Sequence, residues 1–192
     1  MNTSQLEFQK IYDLYQPKIL RYLAHLVGES DAEDVAQETF VKVHQALENF
    51  RGESQLSTWI YRIATNTALD KLRSPSFQRT KQMVAPDELE EIDASNGIIP
   101  LEGKKPPIEK ELIRVEMNQC IRGYIEKLPE DYRMVLVLSE YEGLKNNEIA
   151  EILVVSLDTV KIRLHRAKEK LKKELEEHCE FYWIEEMPCS VK

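Results

Sequence analysis

The sequence predicts an all-α fold divided into two small helical domains, and three observations carry that prediction. Apolar residues recur at helical spacing almost from end to end, no convincing alternating strand pattern appears, and one stretch rich in Pro and Gly separates the periodic segments. With 192 residues, 42% of them hydrophobic, the chain is long enough to bury a core. Its formal net charge of -8 and pI of about 5.2 lack the overall footprint of a nucleic-acid binder, so any contact with a polyanion has to be local.

The first helical region is expected from about Ser4 to Val27, carrying Leu6, Ile11, Leu14, Ile19, Tyr22, Leu23 and Leu26. Pro17 is an expected kink or break and Gly28 a stop. The second helix is read from "SDAEDVAQETFVKVHQALENF". Ser30 with Glu33 forms a capping-box pattern, and Ala36, Phe40, Val43, Leu47 and Phe50 mark one buried face. Asp34, Glu38, Val41 and Gln45 fall on another face. The third helix is expected from about Ser57 to Arg73, burying Trp59 or Ile60, then Ile63, Thr67 and Leu72, and exposing Thr58, Arg62, Thr65, Asn66 and Arg73.

From Ser74 to Pro107 the pattern dissolves among five prolines, two glycines and the acidic cluster "DELEEID", which reads as a linker. Periodicity returns with Leu112, Val115, Ile121, Tyr124 and Leu128. The expected division is therefore residues 1–75, a linker over 76–107, a second domain over 108–177 and a tail over 178–192.

In the second domain, "LPEDYRMVLVLSEYEGL" predicts a buried helix started by Pro129 and ended by Gly143. "NNEIAEIL" predicts a short helix capped by Asn146 or Asn147, and "VVS" a tight turn. Ser156 then caps a longer helix with Val160, Leu164, Ala167, Leu171 and Leu175 in one stripe and its basic residues largely outside. This is a helix-turn-helix pattern with a basic second helix.

Charge is distributed to match. Between Asp158 and Glu174 seven basic residues oppose three acidic ones, and between Arg51 and Lys81 six oppose two, so two basic islands sit in an acidic chain. Placed in different domains, they suggest two separated nucleic-acid contacts on one tether.

The pair "DAEDVAQETF…FRGESQLSTWIYRIATNTALDKLR" and "LPEDYRMVLVLSEYEGLKNNEIAEILVVSLDTVKIRLHRAKEKL" resembles the two conserved domains of bacterial RNA polymerase sigma factors of the extracytoplasmic function group. The resemblance implies a sigma-2 domain that binds the polymerase clamp helices and opens the minus-ten element, and a sigma-4 domain that meets the flap and reads the minus-thirty-five element. It further implies an anti-sigma partner, no enzymatic activity and no cofactor. Carried over by residue, Asp34, Gln37, Glu38 and Val41 are implied in polymerase binding. Asn66, with Arg62 and Thr65 nearby, is implied in holding an unstacked base, and Arg51, Lys71 and Arg73 are placed to meet phosphates. Trp59 lies on the apolar stripe, which favours a core role over base stacking. In the recognition helix the resemblance implies that Lys161, Ile162, His165 and Arg166 face the bases and that Thr159, Arg163 and Lys168 contact phosphate. The chain departs from the family pattern at Val154 and Ile162, where smaller or polar residues are common.

Two other readings compete. A lone helix-turn-helix regulator accounts for the second domain but not for the polar, arginine-flanked first one. A small metal or redox enzyme built on His178, Cys179 and Cys189 lacks paired carboxylate and histidine groups, a Gly-rich phosphate loop and a close Cys-x-x-Cys spacing. The three cysteines, Cys120, Cys179 and Cys189, suit reduced thiols, and runs such as "MVLVL" are far too short to span a bilayer, so a cytoplasmic protein without membrane insertion is expected. The tail "EEHCEFYWIEEMPCSVK" is expected to dock through Phe181, Tyr182 and Trp183, or to regulate through its thiols.

Overall fold

A computed structural model describes residues 3–83 and 121–178, with side chains from 7–79 and 121–177. The described residues form helices α1 (Thr3–Val27), α2 (Glu29–Leu47), α3 (Leu56–Arg73), α4 (Pro75–Met83), α5 (helical over 121–127), α6 (Glu130–Glu140), α7 (Asn146–Leu153) and α8 (Leu157–His178). Among the described residues there is no strand.

α1, α2 and α3 pack on one another through the stripes the spacing predicts. Ile19, Tyr22, Leu23 and Leu26 of α1 meet Val35, Ala36, Phe40 and Val43 of α2 and Ile60, Ala64, Ala68 and Leu72 of α3. Each large side chain taken fully out of water here contributes roughly 1.5–3 kcal/mol. Gly28 ends α1, its N–H bonding the Ala24 carbonyl at 3.1 Å, and at φ 90° it turns the chain straight into α2, a conformation that any Cβ would strain.

The structure corrects several local expectations. α1 runs through Pro17 as one helix; the ring sits on the exposed side, where the missing bond is tolerated. The Ser30–Glu33 capping box does not form: α2 starts at Glu29 with Gly28 as its cap, two residues earlier than a Ser30 cap requires, and the Ser30 hydroxyl donates to Asp31 instead. Residues 75–83, read as linker, are helical. Pro75 occupies the first position of α4, where its missing N–H costs nothing, the Ser74 hydroxyl accepts the Phe77 N–H at 3.3 Å, and the Gln78 amide donates back to the Leu72 carbonyl. Residues 84–120, with Cys120, lie outside the described residues. α7 is capped at Lys145 rather than at Asn146 or Asn147, with the Glu148 carboxylate accepting the Lys145 N–H at 2.8 Å. Ser156 does cap α8, its hydroxyl accepting the Thr159 N–H at 3.1 Å.

The two helical domains the sequence predicts are in contact: α3 packs on α7 and α1 on α6, and a single cluster of buried apolar residues runs from Ile19 to Ala167.

Candidate nucleic-acid interface

The loop between α2 and α3 and the first turns of α3 build an open cleft of about 520 Å³. Phe50 and Trp59 form its aromatic wall with ring centroids 5.0 Å apart, and Arg51 and Arg62 add positive charge beside Asn49, Ser54 and Glu53. An aromatic wall flanked by guanidinium groups and small hydrogen-bonding side chains is suited to a base with its phosphate. Trp59 is thus only partly a core residue; it packs on Phe50 while lining the cleft. Asn49, Phe50 and Ser54 were missed as site residues, and the signal available was their position in the polar stretch before α3.

Arg62, Asn66 and Arg73 share one face of α3, at i, i+4 and i+11, and Asn66 and Arg73 are exposed. Arg51 is 84% exposed, with Glu53 at 4.0 Å. Two predicted members are elsewhere. Thr65, expected on the surface, is 1% exposed; its hydroxyl donates to the Tyr61 carbonyl at 2.7 Å and meets the Tyr22 hydroxyl at 2.8 Å, so its polarity is satisfied inside the core. Thr58 is likewise buried rather than exposed. Lys71 turns toward α2 and pairs with Asp31 at 2.5 Å, away from the Arg62–Arg73 face.

Asp34, Gln37, Glu38 and Val41 are all exposed on α2, and Val41 is an apolar side chain 55% in water. Glu38 also pairs with Lys42 at 2.8 Å.

On α8, Lys161, Ile162, His165 and Arg166 form one exposed face, with Ile162 52% exposed. Their ion pairs stay within α8: Lys161 with Asp158 at 3.7 Å and His165 with Glu169 at 3.2 Å, while Arg166 has none among the described residues. Arg163 and Lys168 differ. They pair with Asp131 at 2.7 Å and Glu140 at 2.8 Å, carboxylates of α6, and so fasten α8 to the domain. The Lys168 ammonium, accepting that role, holds the Glu140 carboxyl below its ordinary range. Thr159 is half-buried, its hydroxyl 2.8 Å from that of Ser156. The turn before α8 passes through Val154 at φ 54°, ψ 48°, a left-handed conformation unusual for a β-branched residue.

Among the described residues no cluster of three His, Cys, Asp or Glu is arranged to hold a metal. The His178 side chain, Cys179, Cys189 and the aromatic tail lie outside the described side chains. No described helix is long and apolar enough to cross a membrane.

The family model Sigma-70 region 2 matches residues 11–77, and Sigma-70, region 4 matches residues 118–171. The chain is 36% identical over 163 residues to the RNA polymerase sigma-H factor of Pseudomonas aeruginosa, covering 84% of this chain and 82% of that one. It is 34% identical over 173 residues to the ECF RNA polymerase sigma factor SigW of Bacillus subtilis, covering 88% of each chain. Among solved structures, the fold is similar to that of the sigma factor RpoE in complex with the anti-sigma factor NepR from Bartonella quintana, with TM-score 0.64, 22% identity, and coverage of 88% of this chain and 97% of that one. CnrH in complex with the cytosolic domain of CnrY is similar at TM-score 0.60 and 24% identity, covering 91% of this chain and 90% of that one.

Proposed function

The chain belongs to the extracytoplasmic function group of the sigma-70 family, and on that premise we propose how its surfaces share the work of starting transcription. It is an initiation factor and not an enzyme: it binds core RNA polymerase and directs it to promoters. The observation that carries this is the order of the two matched regions, region 2 over 11–77 and region 4 over 118–171, in one chain.

The division of labour follows from the chemistry of the exposed faces. Asp34, Gln37, Glu38 and Val41 on α2 meet the clamp helices of polymerase; an apolar Val41 beside acidic groups suits a basic, partly apolar helical surface. The cleft of Phe50 and Trp59 receives a minus-ten base that has left the stack, Asn66 reads the melted strand beside it, and Arg51, Arg62 and Arg73 neutralise phosphates. Lys161, Ile162, His165 and Arg166 face the major groove at the minus-thirty-five element. Thr159 stands at the start of α8, where its exposed edge meets backbone phosphate; Arg163 and Lys168 mainly hold the recognition helix in place. The region 2 and region 4 units meet through the described helices, α3 on α7 and α1 on α6. We further propose an anti-sigma partner, as in the two similar complexes, and a cytoplasmic location where polymerase and promoter are found.

Run-off transcription with core polymerase on a library of genomic promoter fragments tests the reading. Promoter-selective transcripts that depend on the chain are expected; a chain that binds duplex DNA tightly by itself and yields no transcript with core polymerase overturns it.

A further inference from the structure

We propose that the chain carries its own latch: the Glu142 carboxylate, buried between Tyr61 and Arg21, clamps the sigma-4 unit over the minus-ten cleft and holds the free protein in a closed state that must open on promoters. The inference rests on the assignment of that cleft to promoter DNA given above.

Glu142 lies in the turn after α6, and its side chain is only 2% exposed. The Tyr61 hydroxyl of α3 donates to Glu142 Oε2 at 2.5 Å, and the Arg21 Nε of α1 lies 3.5 Å from Oε1. One carboxylate thereby ties the sigma-4 half to two helices of the sigma-2 half. Around it run three more cross-contacts: Arg122 with Glu29 at 2.5 Å, the Arg133 guanidinium with the Leu26 carbonyl at 3.3 Å, and the Arg62 Nε with the Glu151 carbonyl at 3.0 Å.

The last contact gives the latch its consequence. Arg62 is engaged by the sigma-4 backbone, and Glu151 forms part of the cleft wall. A carboxylate over a phosphate-binding cleft opposes the strand that belongs there. The minus-ten and minus-thirty-five elements are about 25 base pairs apart by their names, roughly 85 Å of duplex at about 3.4 Å per pair. In the closed chain α3 packs on α7 and α7 on α8, two helix-to-helix steps of roughly 10 Å each. The two reading surfaces cannot then lie on both elements at once.

The latch is built to release. Glu142 Oε1 has no hydrogen-bond partner among the described atoms, so the buried charge is only partly compensated, and opening returns it to water.

The test uses the full chain. Spin labels at Gln45 and Lys170, both exposed, in a chain whose three native cysteines are serine, report the separation of the halves. The parent is expected to give a short distance, and Tyr61→Phe and Glu142→Lys to shift population to longer ones with the helical circular dichroism unchanged. In the converse arm, Glu29→Cys and Arg122→Cys are joined by a short reducible bis-maleimide. The joined chain should lose about tenfold or more of its run-off transcript with core polymerase and regain it on reduction. Equal distances in parent and variants, or full transcription by the joined chain, overturn the latch. Failure of the unjoined parent to drive any transcript instead strikes the functional assignment, because the distance arm judges the latch alone.

Discussion

The hydroxyl of Tyr61 reaches Glu142 across 81 positions of sequence, and the same tyrosine ring stands edge-on to Tyr22 at 5.4 Å. Burial first, and then the bond to Glu142, raise the Tyr61 phenol well above its ordinary range, so it remains a donor throughout the physiological range. A residue of the sigma-2 core is therefore also the anchor of the sigma-4 half.

His25 makes that boundary sensitive to acid. Burial, followed by the charges of Arg122 and Arg21, lowers its imidazole to about 4, and the ring packs on Tyr141 of the other half at 4.5 Å. A depressed histidine binds fewer protons folded than unfolded, so its contribution is complete above about 6.5 and is lost as pH falls toward 4. Unfolding by urea at pH 7 and pH 4.5 should show a loss on the order of 2 kcal/mol that His25→Gln largely removes. Identical pH slopes in parent and variant contradict this.

Val154 is strained for no packing return. Its side chain is 78% exposed and its backbone left-handed. Val154→Gly should raise stability by about 1 kcal/mol, the relieved strain exceeding the entropy glycine loses on folding. Chemical denaturation reads the change, and a lower midpoint refutes it.

Asn66→Ala should impair promoter opening far more than polymerase binding, since Asn66 is exposed on α3 one turn beyond Arg62, which lines the cleft. Loss of one or two base contacts costs roughly 1–3 kcal/mol. Permanganate footprints of the melted strand that match the parent remove Asn66 from the site.

On α8, Lys161→Ala and Arg166→Ala should change which upstream element is preferred, because they stand on the open face, whereas Lys172→Ala should weaken all elements alike. Arg163→Ala is expected to act differently, lowering stability by about 0.5–1 kcal/mol through the loss of its pair with Asp131. Preference profiles over randomised upstream elements, with melting curves, separate the three.

Val41→Glu and Asp34→Lys should reduce affinity for core polymerase at least about tenfold and leave the melting temperature within about a degree, as both side chains lie outside the core. Pull-down with core enzyme measures this, and unchanged retention refutes the α2 assignment.

The sequence by itself determined the helices and their buried stripes, because a 3.6-residue period in Ile19–Leu26, Ala36–Val43 and Val160–Ala167 leaves one face to bury whatever lies opposite. It also determined the family and the exposed face of α8 that carries Lys161, Ile162, His165 and Arg166, since residues four apart on a capped helix stay on one side. It did not reveal that Thr58 and Thr65 turn inward, because a hydroxyl can be satisfied by its own helix, as Thr65 is by the Tyr61 carbonyl. Nor did it show that Lys71 pairs with Asp31 of α2, or that Arg163 and Lys168 are held by α6: ion-pair partners are chosen by which surfaces meet. Only the tertiary structure joined Tyr61 and Arg21 to Glu142 and set Glu151 at the cleft. Local periodicity specifies that an apolar or charged face needs a partner, while the partner itself is decided by long-range packing, which no window of sequence contains.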